Sequence, residues 1–153
     1  MAVEYSIDIA SDLNRDQAMR LLAERLGMEQ TEGFVHKPGT MSIGACDIEP
    51  GHWTEVTEEA FHFTPNLSMS FRRLYEANGE EFARLMLRAT MLLLEHGRDA
   101  VLLFNGEIIV FQRLRGQLTF NTDYELQVGK DELLLKEEVR IPYERRSLPS
   151  PLL

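Results

Sequence analysis

Residues able to do chemistry are few in this chain. Cys46, Asp47, His52 and His62 are the one group in which thiol, carboxylate and imidazole fall close together. A metal ion would need such donors to converge, and their spacing matches no zinc pattern with a mechanical rationale, so no metal site is expected. Whether Cys46, His52 and His62 meet is left open by the sequence, and Cys46 reads as a partly buried small residue. Nucleophilic catalysis would need a Ser, Cys or Thr in a strained, glycine-flanked turn, and no G-x-S-x-G elbow or phosphate-binding glycine pattern is present. Glu80-Glu81 imitate an acid pair, but carboxylates in the first turn of a helix complement its dipole. The expectation is therefore a protein with no catalytic residues and no cofactor, not an enzyme.

The stretch that survives this filter is DIEPGHWTEVTEEA, residues 47–60. Asp47, Glu49, Glu55, Glu58 and Glu59 occur there without a Lys or Arg, and Trp53 among them is the single tryptophan of the chain. We read it as an exposed acidic loop. An aromatic anchor ringed by charge has the composition of a protein-binding patch, so these six residues form the candidate partner-binding set. The plainer alternative folds Trp53 back onto the core edge beneath a solvated loop. A second candidate surface is the polar face of the sheet, with Ser6, Asp8, Ser68, Ser70 and Arg72, which could take a small ligand or a partner chain.

Sixteen Lys and Arg against twenty-five Asp and Glu leave a formal charge of −9. That balance repels phosphate backbones and favours a basic partner, so nucleic acid is not expected as a ligand. The single cysteine excludes an internal disulfide and fits a reducing compartment. MAVEYSIDIASDL lacks the basic start of a signal peptide, and no apolar run approaches the ~18 residues of a membrane span. A cytoplasmic protein with no membrane partner is expected. Its 153 residues, 44% of them hydrophobic, suit one domain over 1–153.

The elements that must position these residues follow from periodicity. Residues 3–10 alternate as a half-buried strand, and Asn14 with Gln17 makes a capping box for a helix that stops at Gly27. Phe34-Val35 anchor a loop or a short edge strand, Met41 to Cys46 form a second strand, and Pro50-Gly51 is a turn signal. Phe61 to Arg72 alternate as a long strand bent at Thr64-Pro65. Residues 79–96 make an apolar core helix, with Gly97 as its αL-tolerant exit. A hairpin then turns at Asn105-Gly106. Val101, Leu103, Ile108 and Val110 are expected on one of its sides, and Leu102, Phe104, Ile109 and Phe111 on the other. Because both sides are apolar, the face opposite the helices needs a cover, either the segment from Ile141 to Leu153 or a second subunit, so a homodimer stays open. Arg115-Gly116 turn the chain into strand 117–121. A further hairpin around Gly129-Lys130, built on Leu126, Val128, Leu133, Leu135, Val139 and Ile141, and an extended proline-punctuated tail complete it. The order β-α-β-β-α-β with extra C-terminal strands predicts an α+β fold, a ferredoxin-like antiparallel sheet with two helices on one face.

EYSIDIASDLNRDQAMRLLAERLG near the start, MLRATMLLLEHGRDAVLLFNGEIIVFQR in the middle and PYERRSLPSPLL at the end together resemble the Sit-type (swarming-inhibition toxin) immunity proteins of myxobacteria and related bacteria. The likeness spans nearly the whole chain and rests on structural motifs. It implies a cytoplasmic, non-catalytic protein that binds and neutralises a cognate toxin domain. The alternative is a small-molecule-binding or regulatory α+β domain acting through an open sheet face.

Overall fold

A computed structural model describes residues 3–49, 51, 54–124 and 127–152. Strand β1 (Glu4–Ser11) leads to helix α1 (Arg15–Leu26), then β2 (Glu29–Thr31), β3 (Phe34–Lys37) and β4 (Met41–Asp47). Helix α2 (Glu55–Phe61), β5 (Leu67–Arg73) and α3 (Gly79–Leu94) follow. The chain continues through β6 (Gly97–Phe104), β7 (Ile108–Leu114), β8 (Gln117–Asn121), α4 (Glu132–Glu138) and β9 (Tyr143–Arg146). Among the described residues these strands form one sheet in the order β2-β3-β4-β5-β1-β6-β7-β8-β9. Its centre, β4-β5-β1-β6 with α1 after β1 and α3 after β5, has the predicted β-α-β-β-α-β order, and its neighbours are antiparallel. The fold is α+β as expected. The sheet is nevertheless mixed, because β9 runs parallel to β8.

Local chemistry explains the two long helices. Asn14 accepts from the Gln17 amide at 2.9 Å while the Gln17 side chain accepts from the Asn14 amide at 3.0 Å, closing the capping box. Gly27 ends α1 in the left-handed conformation, at φ 61°. Asn78 caps α3 by accepting from the amides of Glu80 and Glu81, which leaves those two carboxylates at the positive end of the dipole. Phe82, Met86, Leu93 and Leu94 of α3 join Ala18 and Leu22 of α1 in one core against Ile7, Met69, Phe71 and Leu102 of the sheet. Both helices therefore lie on the same face. Gly97 is not the helix exit that was expected, since α3 ends at Leu94. A Cβ at Gly97 would stand 2.5 Å from Cδ1 of Ile9, so this glycine allows β6 to approach β1.

Several expectations are corrected. The segment from Phe61 to Asn66 is not strand: Phe61 closes α2, His62 ends it at φ 62°, and β5 begins at Leu67. Alternation misled there because Phe61 and Phe63 are both buried, on the far side of the sheet. Across the β6–β7 hairpin the expected sides are also revised. Phe104 pairs with Ile108 and Leu103 with Ile109, and a bulge then brings Leu102 opposite Phe111. These shifts put Ile109 with Leu103, and Val110 with Leu102 and Phe111. The hairpin expected around Gly129-Lys130 is a 3₁₀ turn, Val128–Lys130, followed by α4. Asp131 accepts from the Leu134 amide at 3.1 Å, and the helical spacing of Leu134, Leu135 and Val139 buries all three. Leu126 of that reading lies outside the described residues.

The face opposite α1 and α3 divides in two. Its apolar half, Ala10, Val101, Leu103 and Ile109, is covered by Phe61 and Phe63 and by Leu148 and Leu152 from the C-terminal segment. Asn121 anchors that segment: its side chain donates to the Leu148 carbonyl at 3.2 Å and accepts from the Leu148 amide at 3.1 Å, standing in for a strand pair. Of the two covers named above, the chain's own segment supplies one. The other half of the face is polar.

Candidate functional site

On the polar half, inward-facing positions alternate with outward-facing ones, and the outward set consists of small residues: Ser42 and Gly44 on β4, Ser68 and Ser70 on β5. Their short side chains leave a trough of about 370 Å³, closed at its sides by Phe34, Cys46 and the Arg72–Glu4 ion pair, 3.3 Å. Phe34 is 53% exposed, and its ring lies over Gly44, 3.6 Å from where a Cβ would stand. An aromatic ring held by the sheet yet open to solvent is a natural contact for a partner. Sequence reading took Phe34 as a loop anchor or part of a short edge strand; it begins β3, which lies inside the sheet between β2 and β4. The signal that could have found it is its place on a short strand just ahead of the alternating Ser42 and Gly44.

Asp8 belongs to this face too, but α2 half covers it. Its carboxylate accepts from Thr57 Oγ1 at 3.3 Å and from the Ser68 hydroxyl, and burial holds its pKa above the usual aspartate value. The other members of the expected open face, Ser6, Ser68, Ser70 and Arg72, remain partly or fully exposed.

The acidic stretch is half helix, not loop throughout. Asp47 ends β4 and accepts from the Arg15 amide at 2.7 Å, which places a carboxylate at the positive end of α1. Glu58 accepts from Thr64 Oγ1 at 3.0 Å. Asp47 and Glu58 thus have structural work. Glu49, Glu55 and Glu59 are exposed and make no hydrogen bond or ion pair through their side chains among the described residues. Val56, between two of them, is 60% exposed. Trp53, with His52 and Pro50, lies outside the described residues. The turn that leads into α2 is held at Thr54, fully buried, whose hydroxyl donates to the Gly51 carbonyl at 2.9 Å and accepts from the Gly51 amide at 3.0 Å.

Cys46 is exposed, contrary to the expectation of partial burial, because it falls on the trough side of β4. Among the described residues no group of three His, Cys, Asp or Glu could hold a metal ion. Nor is any helix among them long and apolar enough to cross a membrane. The arrangement consists of a shallow polar trough, an exposed aromatic ring and three carboxylates without a side-chain partner among the described residues.

A family model described as SitI3-like matches residues 3–127 of the chain. No curated protein and no solved structure matches it.

Proposed function

Since the chain belongs to the SitI3-like family, we propose that it is an immunity protein that binds a cognate bacterial toxin domain and neutralises it by occupying its surface, without chemistry of its own. The observation that carries this reading is the family match, which takes in β1 to β8 and with them the trough and the acidic stretch. Charge supports it: an acidic protein whose Glu49, Glu55 and Glu59 have no side-chain partner among the described residues suits a toxin with a basic surface. Asp47 and Glu58 lie in the same stretch, and Trp53 and Phe34 would supply the apolar contact that charge alone lacks.

The test is co-expression with the toxin encoded beside this gene. Glu49→Lys, Glu55→Lys and Glu59→Lys together should abolish protection and weaken the purified complex by tenfold or more, roughly 1.4 kcal/mol or above, while the melting temperature stays near the parent's. A triple variant that still protects and binds like the parent would move the interface away from the acidic stretch. The serine-lined trough favours a second reading, a small-molecule-binding or regulatory domain. Finding the gene within a metabolic operon, with no toxin gene beside it, would favour that one.

A further inference from the structure

On the helical side of the sheet, the last turns of α1 and α3 and the chain leaving α4 enclose a cleft of about 630 Å³. Leu26, Met91 and Leu92 give it an apolar wall, and Arg25, Arg88, Arg113 and Arg140 surround it. Four arginines around one cavity need an account in a chain of charge −9. Part of that account is structural. Arg88 pairs with Glu138 through Nε at 2.7 Å and Nη2 at 3.1 Å. Nη1 of Arg113 donates to the carbonyls of Leu94 and Gly97, at 3.1 and 3.2 Å, and so ties the end of α3 to the sheet. Arg25, in the last turn of α1, complements the dipole there.

A remainder is left over. Nε of Arg113 is buried without a hydrogen-bond partner among the described residues, so the charge of this guanidinium is only partly answered by the two carbonyls. Arg25 and Arg140 make no ion pair among the described residues. With Nη1 of Arg113 committed to carbonyls and Nε buried, Nη2 is the guanidinium nitrogen left to meet a carboxylate in the cleft. Glu95 and Glu138 also line the cleft and would oppose a doubly charged head. The volume falls within the range of small-ligand sites.

We infer that this cleft binds a small amphipathic carboxylate, its head on Arg113 between Arg25 and Arg140 and its apolar body against Leu26, Met91 and Leu92. This site is independent of the toxin-binding reading, because it lies on the other side of the sheet from the acidic stretch.

Decanoate tests the inference on the full chain, with decanol as the same tail without charge, acetate as the head without a tail, and inorganic phosphate as a different anion. The readout is NMR of methyl-labelled methionines, in which Met91 is the one methionine among the described residues that lines the cleft. Decanoate should move the Met91 methyl saturably and raise the melting temperature, as any ligand selective for the folded state does. Decanol, acetate and phosphate should each bind at least about tenfold more weakly. Arg25→Gln with Arg140→Gln removes two exposed charges that have no ion pair among the described residues and should weaken decanoate by roughly tenfold; Arg72→Gln, on the opposite face, should leave it unchanged. Arg113→Gln should abolish binding, and circular dichroism shows whether it still folds. The double variant decides if it does not. Decanol binding as tightly as decanoate, phosphate binding more tightly, an unmoved Met91, or a double variant that matches the parent would each overturn the inference.

Discussion

Asp8 is the residue at which packing and charge disagree most plainly. It sits on the polar half of the sheet, has two hydroxyl partners and no cation among the described residues, and burial raises its carboxyl pKa. A raised carboxyl pKa means that the folded state holds the proton more tightly than the unfolded one. The associated stability is complete below the ordinary carboxylate range and is lost as pH rises through the raised value. Glu138 has the opposite sign, since Arg88 and Arg84 lower its pKa and its contribution is lost as pH falls. Asp8→Asn should therefore gain stability at neutral pH, by up to about 1 kcal/mol. Parent and variant should converge towards pH ~4, where an ordinary aspartate is itself protonated. Urea titrations at several pH values read this directly. A variant less stable than the parent at pH 7 would show that the charge is needed there, as a bound partner or an ion would require.

At the scale of elements, what was legible in the sequence and what was not divide on physical lines. Helices α1 and α3 could be read because Asn14 with Gln17, and the apolar arc from Phe82 to Leu94, carry caps and period within a single stretch. The Asn105-Gly106 turn could be read for the same reason, with both residues at positive φ. Helix α2 could not: it is short, it buries Thr57 and Phe61 on one side, and Phe61 with Phe63 imitated the alternation of a strand. Helix α4 was hidden by Leu133, which is 68% exposed beside the buried Leu134 and Leu135. The bulge in the β6–β7 hairpin leaves no local mark, so side assignment by parity failed there. The candidate site was legible as a composition, the unpaired acids, and not as a shape, because Phe34 and the serine trough come from three separated strands. The need for a cover over Ile109 was legible, and it leads to a prediction. Removing residues 147–153 takes away Leu148, worth about 1.5–3 kcal/mol when buried, and its two hydrogen bonds with the Asn121 side chain, about 0.5–1.5 kcal/mol each, while Asn121 keeps the Ile109 carbonyl and the Asp123 amide. The urea midpoint should fall accordingly, and the bared Val101, Leu103 and Ile109 should promote self-association. An unchanged midpoint with a monodisperse monomer would mean that Phe61 and Phe63 suffice as the cover.

For the molecule as a whole, the charge is distributed unevenly. Among the described residues Glu49, Glu55 and Glu59 have no side-chain partner, whereas Arg84 and Arg88 on the helical side are tied to Glu137 and Glu138. Under the immunity reading, this separation divides the labour of binding between the two rate constants. Carboxylates at the rim of an interface act over a distance of about a Debye length, ~10 Å at 0.1 M salt, and mainly accelerate encounter. A buried aromatic ring acts only after contact and mainly delays escape. Reversing Glu49, Glu55 and Glu59 to Lys should therefore lower the association rate by roughly tenfold or more at low salt and flatten its decline with added salt, leaving dissociation less affected. Phe34→Ala should do the converse, speeding dissociation and weakening the complex by about 2 kcal/mol with little change in the salt slope. Stopped-flow association with the purified toxin domain at two ionic strengths separates the two effects. If Phe34→Ala leaves dissociation unchanged while the charge reversal slows encounter, the trough is a bystander and the anchoring contact lies within the acidic stretch itself, at Trp53.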